Sequence, residues 1–370
     1  MFRDDDLETI QVSTSHVKLR LVCFILALVL ALGAIGFGMS RLIHKDPGYY
    51  EIKPDGSEEA PQYGTGITLL YYLEGKSNSI GTQLNQLKSV YGAALLRAYK
   101  LLDSGTMYEG YANIATLNAS IGQYVQVGEE LYWVLKDAFE RTQERKGYSV
   151  FAGALFGEWN SILSLDNASE FDPENNESMA RRIGRLAEET AKLENFDLRF
   201  EESDYSVELW VSPEYMDFLE NNGYSVSVLD LNLLSEAYRL AMVRDALEEK
   251  GCGKGYIFTG DGLTLSLSAH EGGEYCVYGP DGDSVKAVAK MPAKPNSAYS
   301  LLRSFKLSDG EVMYYTIEKD GRTLHRHPCF VTATGEFAEL LAASGTVRYD
   351  GDIVGARYSS IVLYNMGSRE

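Results

Sequence analysis

Residues 21–39 read LVCFILALVLALGAIGFGM, 19 residues without a charge. As a helix this run spans about 28 Å, close to the hydrocarbon thickness of a bilayer. It divides the chain into a polar tail (1–20), a membrane anchor (21–39) and the long remainder from residue 40 onward. Lys18 and Arg20 flank one end, and Arg41 and Lys45 the other. The charge bias that orients membrane helices is therefore weak. The polar stretch before the run is longer than a signal peptide's leading region, and no cysteine comes closely enough after it for lipidation. The expectation is an uncleaved, single-pass anchor in the cell membrane with an extracytoplasmic domain.

Residues 40–65 are rich in Pro, Gly and charge and read as a linker to a domain at 66–366. The whole chain has 370 residues, 45% apolar and 24% charged, ample for a large core. Asp and Glu outnumber Lys and Arg by 53 to 34, a formal charge of −19. Such a surface repels phosphate backbones, which sets nucleic acid aside as a partner. The 25 tyrosines fit strand-rich packing better than a dedicated aromatic platform. Beyond Cys23, the cysteines are Cys252, Cys276 and Cys329. An odd count is no disulfide framework, though Cys252 and Cys276 could pair on an oxidising side. No Cys-x-x-Cys occurs, which removes zinc-ribbon and thioredoxin-type motifs.

Periodicity predicts a strand at 67–75 and a helix over 80–101. It predicts further helices at about 127–145 and 177–196, with an exposed loop at 166–178 between them. From 205 the pattern alternates: a strand at 205–212, a Pro-to-Gly helix at 213–223, a strand at 224–231 and a helix at 233–249. Two hairpins come next, turning at Gly260-Asp261-Gly262 and at Lys319-Asp320-Gly321. A helix-rich first half and a sheet-rich second half indicate an α+β fold with antiparallel pairing rather than alternating βαβ units.

Few residues announce chemistry. His325 and His327 are placed on one face of a strand and could share a metal, the plainer reading being paired surface histidines. Asp230/Glu236 and Asp350/Asp352 could be acid–base pairs, although caps and solvated carboxylates are commoner. There is no nucleophile elbow, P-loop or dinucleotide fingerprint.

Partial motifs over roughly 65–365 resemble the ApbE family of FAD:protein FMN transferases. The stretch SGTMYEGYANIATLN at 104–118 is similar to the family's Ser/Tyr segment ending in Leu-Asn. GYSVFAGALFGEW at 147–159 is similar to its Gly-rich stretch closing on Trp, and LDLNLLSEAY at 229–238 to its Leu-Asp-Leu-Gly and Lys-Gly-Tyr. Gly260-Asp261-Gly262 resembles its paired glycines, HRHPCFVTATG from His325 its His-x-x-Asp-Pro-x-Thr-Gly, and TVRYDGDIVGARYSSIVLYN at 346–365 its closing strand and helix.

The resemblance implies FAD as ligand, Mg as the cation that offsets its diphosphate, and a protein threonine as acceptor of FMN, with an extracytoplasmic flavoprotein as the candidate partner. It implies a catalytic role for His325, cofactor contacts from Tyr108, Asn118, Tyr238, Gly260 and Asp261, and a metal contact from Asp352. The chain departs from the family at three points. In the metal-binding Asp-x-x-x-Thr, Ala356 stands at the threonine if Asp352 is the aspartate, or Gly355 at the aspartate if Ser359 is the threonine. Glu236 stands where a lysine should face phosphate, and Ser149 where the Gly-x-Phe-Asp motif has its aspartate. These departures open the alternative of an inactive relative that binds a ligand or a protein. Residues 352–360, DIVGARYSS, also resemble a flavin-acceptor segment, but Arg357 replaces the threonine and no phosphoester can form there.

Overall fold

The computed structural model describes residues 47–54, 66–75, 77–143, 147–268, 273–281, 284–307, 311–339 and 341–366. The tail, the apolar run at 21–39 and most of the linker lie outside them, as does His270. Among the described residues no helix is long and apolar enough to cross a membrane. The chain divides into two units, Met1–Gly48 with Glu74–Gln83, and Tyr49–Leu73 with Leu84–Glu370. Within the first, Gln83 Nε2 donates to the Glu74 carbonyl at 3.0 Å. The second holds the core and every residue of the candidate site.

Helices and antiparallel sheet are mixed there. Strands β1 (Gly48–Ile52) and β2 (Ile67–Leu73) come early, and helix α1 (Ser77–Leu102) comes next. They precede α2 (Ile114–Ala119), β3 (Tyr124–Gln126), α3 (Glu129–Thr142), α4 (Gly153–Leu163), α5 (Ala168–Phe171) and α6 (Glu177–Thr190). Then come β4 (Phe196–Glu201), β5 (Ser206–Val211), α7 (Pro213–Asn221) and α8 (Leu233–Glu249). The remainder is β6 (Gly255–Thr259), β7 (Leu263–Ser266), β8 (Gly273–Asp281), β9 (Ser284–Ala293), β10 (Ala298–Arg303), β11 (Tyr315–Lys319), β12 (Arg322–Arg326), β13 (Ala343–Arg348) and α9 (Ile353–Met366).

The main sheet has the order β1-β2-β6-β7-β10-β13. The pairings β2–β6, β6–β7, β7–β10 and β10–β13 are antiparallel. β2 alternates cleanly, with Ile67, Leu69, Tyr71 and Leu73 buried and the residues between them half-exposed. Two early strands thus complete a sheet built mostly from the second half of the chain. Helix α9 lies against β10 and β13 on one side and α8 on the other. A smaller sheet, β3-β5-β4, carries α3 against β4.

The expected helices at 80–101 and 233–249, the strand at 205–212 and both hairpins are present. Helix α3 buries Leu131, Leu135 and Ala138 as its spacing indicates, with Tyr132 also buried. Three expectations are corrected. The helix begun at 177 stops at Thr190, because Asn195 turns its amide back onto the Glu189 carbonyl (3.0 Å) and accepts from Ser212 Oγ (2.8 Å). Residues 224–231 form no ladder. Their backbone groups go to Asn118, to Gly153 N–H (2.9 Å on the Val228 carbonyl) and to the Val150 carbonyl (2.8 Å from Asp230 N–H). A buried backbone needs partners, but not necessarily a strand's. The loop at 166–178 is not simply exposed: Asp172 is fully buried, held by Arg326 Nε at 2.7 Å and by Tyr315 hydroxyl at 2.8 Å. Cys252, Cys276 and Cys329 are all free thiols.

Leu135 is completely buried on α3. Leu135→Asp would put an unpaired carboxylate into that interface and is expected to cost at least about 3 kcal/mol. Urea denaturation checks this; a variant as stable as the parent would contradict the packing.

Candidate functional site

Helix α8 is the spine of the site. It starts at Asn232, which holds a left-handed φ of +40° that asparagine tolerates better than most residues. Just before it, Asp230 accepts from Asn232 N–H (2.7 Å) and from Ser104 Oγ (2.9 Å), and burial raises its carboxyl above the ordinary range. The facing loop is shaped by Asp103. Its carboxylate accepts from Gly105 N–H (2.8 Å), Thr106 N–H (3.0 Å) and the Tyr108 hydroxyl (2.7 Å). Lys100 Nζ lies over the rings of Tyr108 and Tyr111 at 5.5 and 5.0 Å.

Asn118 clamps this region. Its Oδ1 accepts from Val228 N–H (3.1 Å) and Leu229 N–H (2.8 Å), and its Nδ2 donates to the Leu229 carbonyl (2.9 Å) and Ser227 Oγ (3.0 Å). With those bonds made, Asn118 holds the 227–229 segment in place. Tyr108 stands on the loop before α2 and Asn118 near the end of α2, both at the start of α8.

The next turn carries Tyr238. Its hydroxyl donates to Asp137 Oδ2 at 2.7 Å, and burial, then the Asp137 charge, raises its pKa well above the usual value. Arg141, one turn along α3 from Asp137, grips both Asp137 oxygens through Nε at 2.7 and 2.9 Å. Its other nitrogens reach Asp352, with Nη1 at 3.2 Å and Nη2 at 3.4 Å from the two oxygens. Burial opposes the Arg141 charge, but the Asp137 hydrogen bond and the charges of Asp137 and Asp352 outweigh it and raise its pKa. Asp352 also accepts from Gly355 N–H at 2.7 Å, and Arg348 stands 3.6 Å away while bonded to Asp350. Gly355 leaves the room this needs: a Cβ there would sit 2.2 Å from Asp352 Oδ2 and 3.0 Å from Arg141 Nη1.

Gly260 and Asp261 turn between β6 and β7. The Asp261 carboxylate receives Arg357 Nη2 and the Thr259 hydroxyl, while Arg303 Nη2 donates to the Gly260 carbonyl at 3.2 Å. Arg303 also forks onto Glu311 at 2.8 and 2.9 Å. Arg357 is fully buried, and its Nε and Nη1 have no hydrogen-bond partner among the described residues. Glu236 is not a bare negative charge. Arg239, three residues on, donates to it and stacks over the Tyr99 ring at 4.1 Å. Burial raises the Glu236 carboxyl, Arg239 opposes this, and Asp261 adds to it.

The structure thus brings Tyr238 and Asp352 together through Asp137 and Arg141, and sets Asp261 against Arg357 of α9, the helix that begins just after Asp352. It does not bring in His325. That side chain is exposed on the β11–β12 hairpin, where the residue pairs with Thr316. Nor do the two histidines share a face. β12 ends at Arg326, and His327 is fully buried, accepting from Cys329 N–H at Nδ1 (3.2 Å) with Nε2 3.1 Å from the Tyr364 hydroxyl. Of the residues not singled out from sequence, Arg141 had one legible signal, its Asp137-x-x-x-Arg141 spacing, and Arg303 had none; Arg357 was noted only as the residue in place of an acceptor threonine.

A magnesium ion does not fit the donors present. Magnesium needs near-octahedral oxygen. Asp352 is held by a guanidinium and a backbone N–H, and Ala356 offers no side-chain oxygen. Ser360 Oγ is turned to the Ser300 carbonyl (3.2 Å) and Thr346 Oγ1 (3.0 Å). Among the described residues no group of three or more His, Cys, Asp or Glu side chains could hold a metal.

Burial, then the charges of Arg326 and His325, hold His327 down at about 3, against 6.5 when unfolded. Between those values the unfolded chain binds the extra proton, so stability falls as pH drops below 6.5 and the loss levels off near 3. The slope is about 1.4 kcal/mol per pH unit. Urea denaturation from about pH 7 to about pH 5 should show this loss, and His327→Gln should flatten it. An unchanged slope in the variant would contradict the assignment.

No protein-family model matches the chain, and no curated protein does. Solved structures do. The ApbE protein of Thermotoga maritima aligns over 87% of this chain and 88% of its own, with a TM-score of 0.59 and 16% identity. The flavinyl transferase ApbE of Pseudomonas stutzeri, in its apo form, aligns over 87% and 85%, with a TM-score of 0.51 and 14% identity. The flavin transferase ApbE of Vibrio cholerae aligns over 87% of each chain, with a TM-score of 0.50 and 13% identity. At such identities the likeness establishes architecture, and the architecture of this chain is a distant ApbE-like fold.

Proposed function

We propose that this chain is a flavin-transferase-like protein, held at a membrane by residues 21–39, that binds a flavin nucleotide, FAD, without carrying out magnesium-dependent FMN transfer. The ApbE-like fold supports the ligand class. The observation that carries the second half is the Arg141 fork on Asp352. Splitting a diphosphate builds negative charge on the departing AMP, and a divalent cation offsets it at the moment it forms. Guanidinium groups bind phosphate well in the ground state but do not replace two fixed charges on the bridging oxygens.

In this reading α8 and the loops around it receive the ligand. Tyr108 offers an aromatic surface beside Lys100. Arg357 is buried beside the β6–β7 turn and holds Asp261 in place there. Asn118 and Tyr238 act by holding neighbouring backbone and carboxylate in place. His325, exposed on its hairpin, has no part in ligand binding. The competing reading is a working transferase with an extracytoplasmic acceptor protein, which the family resemblance favours and the Asp352 environment disfavours.

Detergent-solubilised full-length protein, titrated into FAD with magnesium, should change flavin fluorescence saturably and release no AMP above a protein-free blank. AMP release with a threonine-bearing acceptor would return the competing reading. An unchanged flavin signal would remove the ligand assignment. Deleting residues 1–40 should move the protein from the membrane to the soluble fraction of expressing cells; persistence in the membrane would contradict the anchor.

A further inference from the structure

We propose that Arg141 is a cation supplied by the protein itself, seated between Asp137 and Asp352 where two carboxylates could otherwise grip a divalent ion, so that ligand binding at this site is independent of divalent metal. Two carboxylates from separate elements, α3 and the start of α9, converge with the Tyr238 hydroxyl on one place. Oxygen donors so arranged are what a hard cation takes. The occupant is instead a guanidinium, which stays charged at every accessible pH.

The seating is asymmetric. Arg141 is anchored through Nε to Asp137 on its own helix at 2.7 and 2.9 Å, and reaches Asp352 through longer contacts of 3.2 and 3.4 Å. The outer edge of the fork is therefore the exchangeable one. A phosphate oxygen pair can take it from Asp352 while the anchor on Asp137 stays. The space is specific to this arrangement, since a side chain at position 355 would collide with both Arg141 and Asp352. Arg348, bonded to Asp350 and 3.6 Å from Asp352, adds a second fixed positive charge at the same carboxylate.

Manganese binding tests this independently of the flavin reading, on which only the FAD comparison rests. The solubilised full-length protein is mixed with substoichiometric Mn2+ and the free-ion signal is read by electron paramagnetic resonance. The parent should leave that signal undiminished. Arg141→Ala should bind Mn2+, and the further change Asp352→Asn should abolish the gain. FAD affinity should agree within about twofold in EDTA and in magnesium. Parent protein that binds one Mn2+ and loses it on Asp352→Asn overturns the proposal, as does a folded Arg141→Ala that gains no Mn2+. FAD binding weakened tenfold or more by EDTA overturns it too. If Arg141→Ala does not fold, the parent and Asp352→Asn measurements still decide. If FAD binds in neither buffer, the flavin reading fails and the manganese result stands by itself.

Discussion

Carboxylate–guanidinium pairs tie the elements of this protein together, the Asp172–Arg326 pair buried and the Arg141 cluster partly exposed. Asp137 and Asp352 share Arg141, Glu236 has Arg239, Asp261 has Arg357, Glu311 has Arg303, and Asp172 has Arg326. A buried ion pair adds little net stability over an apolar substitute, but removing one partner leaves a charge that the interior cannot solvate. The pairs therefore act as constraints on geometry. Arg141 ties α3 to the start of α9, and Tyr238 ties α8 to the same carboxylate cluster. Arg326 ties the β11–β12 hairpin to Asp172. Neutralising one partner loosens two elements at once.

That organisation bears directly on chemistry. The proposed ligand site lies at the start of α8, and among the described residues the buried Arg357 nearby leaves Nε and Nη1 without a hydrogen-bond partner. A carboxylate already held by Arg141, next to Ala356, does not fit a divalent metal. Binding and bond cleavage place different demands on charge. Binding accepts any well-placed cation, whereas cleavage needs charge concentrated where the leaving group forms.

Much of the scaffold was legible because it is periodic. Leu87, Tyr91, Leu95 and Ala98 mark α1, and Gly260-Asp261-Gly262 and Lys319-Asp320-Gly321 mark the hairpins. What was not legible depended on partners distant in sequence. Residues 224–231 alternate like a strand, yet Asn118, more than a hundred residues earlier, takes their hydrogen bonds. β1 lies in what reads as a linker, and it has meaning only once β2 stands beside it. The site was partly legible. Tyr238 and Asp352 stood in stretches that resemble family motifs, and they are linked through Asp137 and Arg141. His325 opens a stretch with a similar resemblance but is exposed on its hairpin, while His327, one residue past the end of the strand, enters the core. Arg141 escaped, and the pairing of Arg357 with Asp261 went unseen, because an arginine in an acidic chain reads as surface until its carboxylate is known. Glu236 read as a charge reversal until Arg239 was placed beside it.

The central claim is that the positive charge of this site, with the ligand present, is the Asp137-anchored guanidinium of Arg141 and not a metal ion on Asp352. A crystal grown with FAD and Mn2+, measured at a wavelength where manganese scatters anomalously, tests it most directly. The account predicts flavin nucleotide density with Arg141 still between Asp137 and its neighbours and no anomalous peak within bonding distance of the Asp352 oxygens. A strong peak on Asp352, with Arg141 displaced, would contradict it.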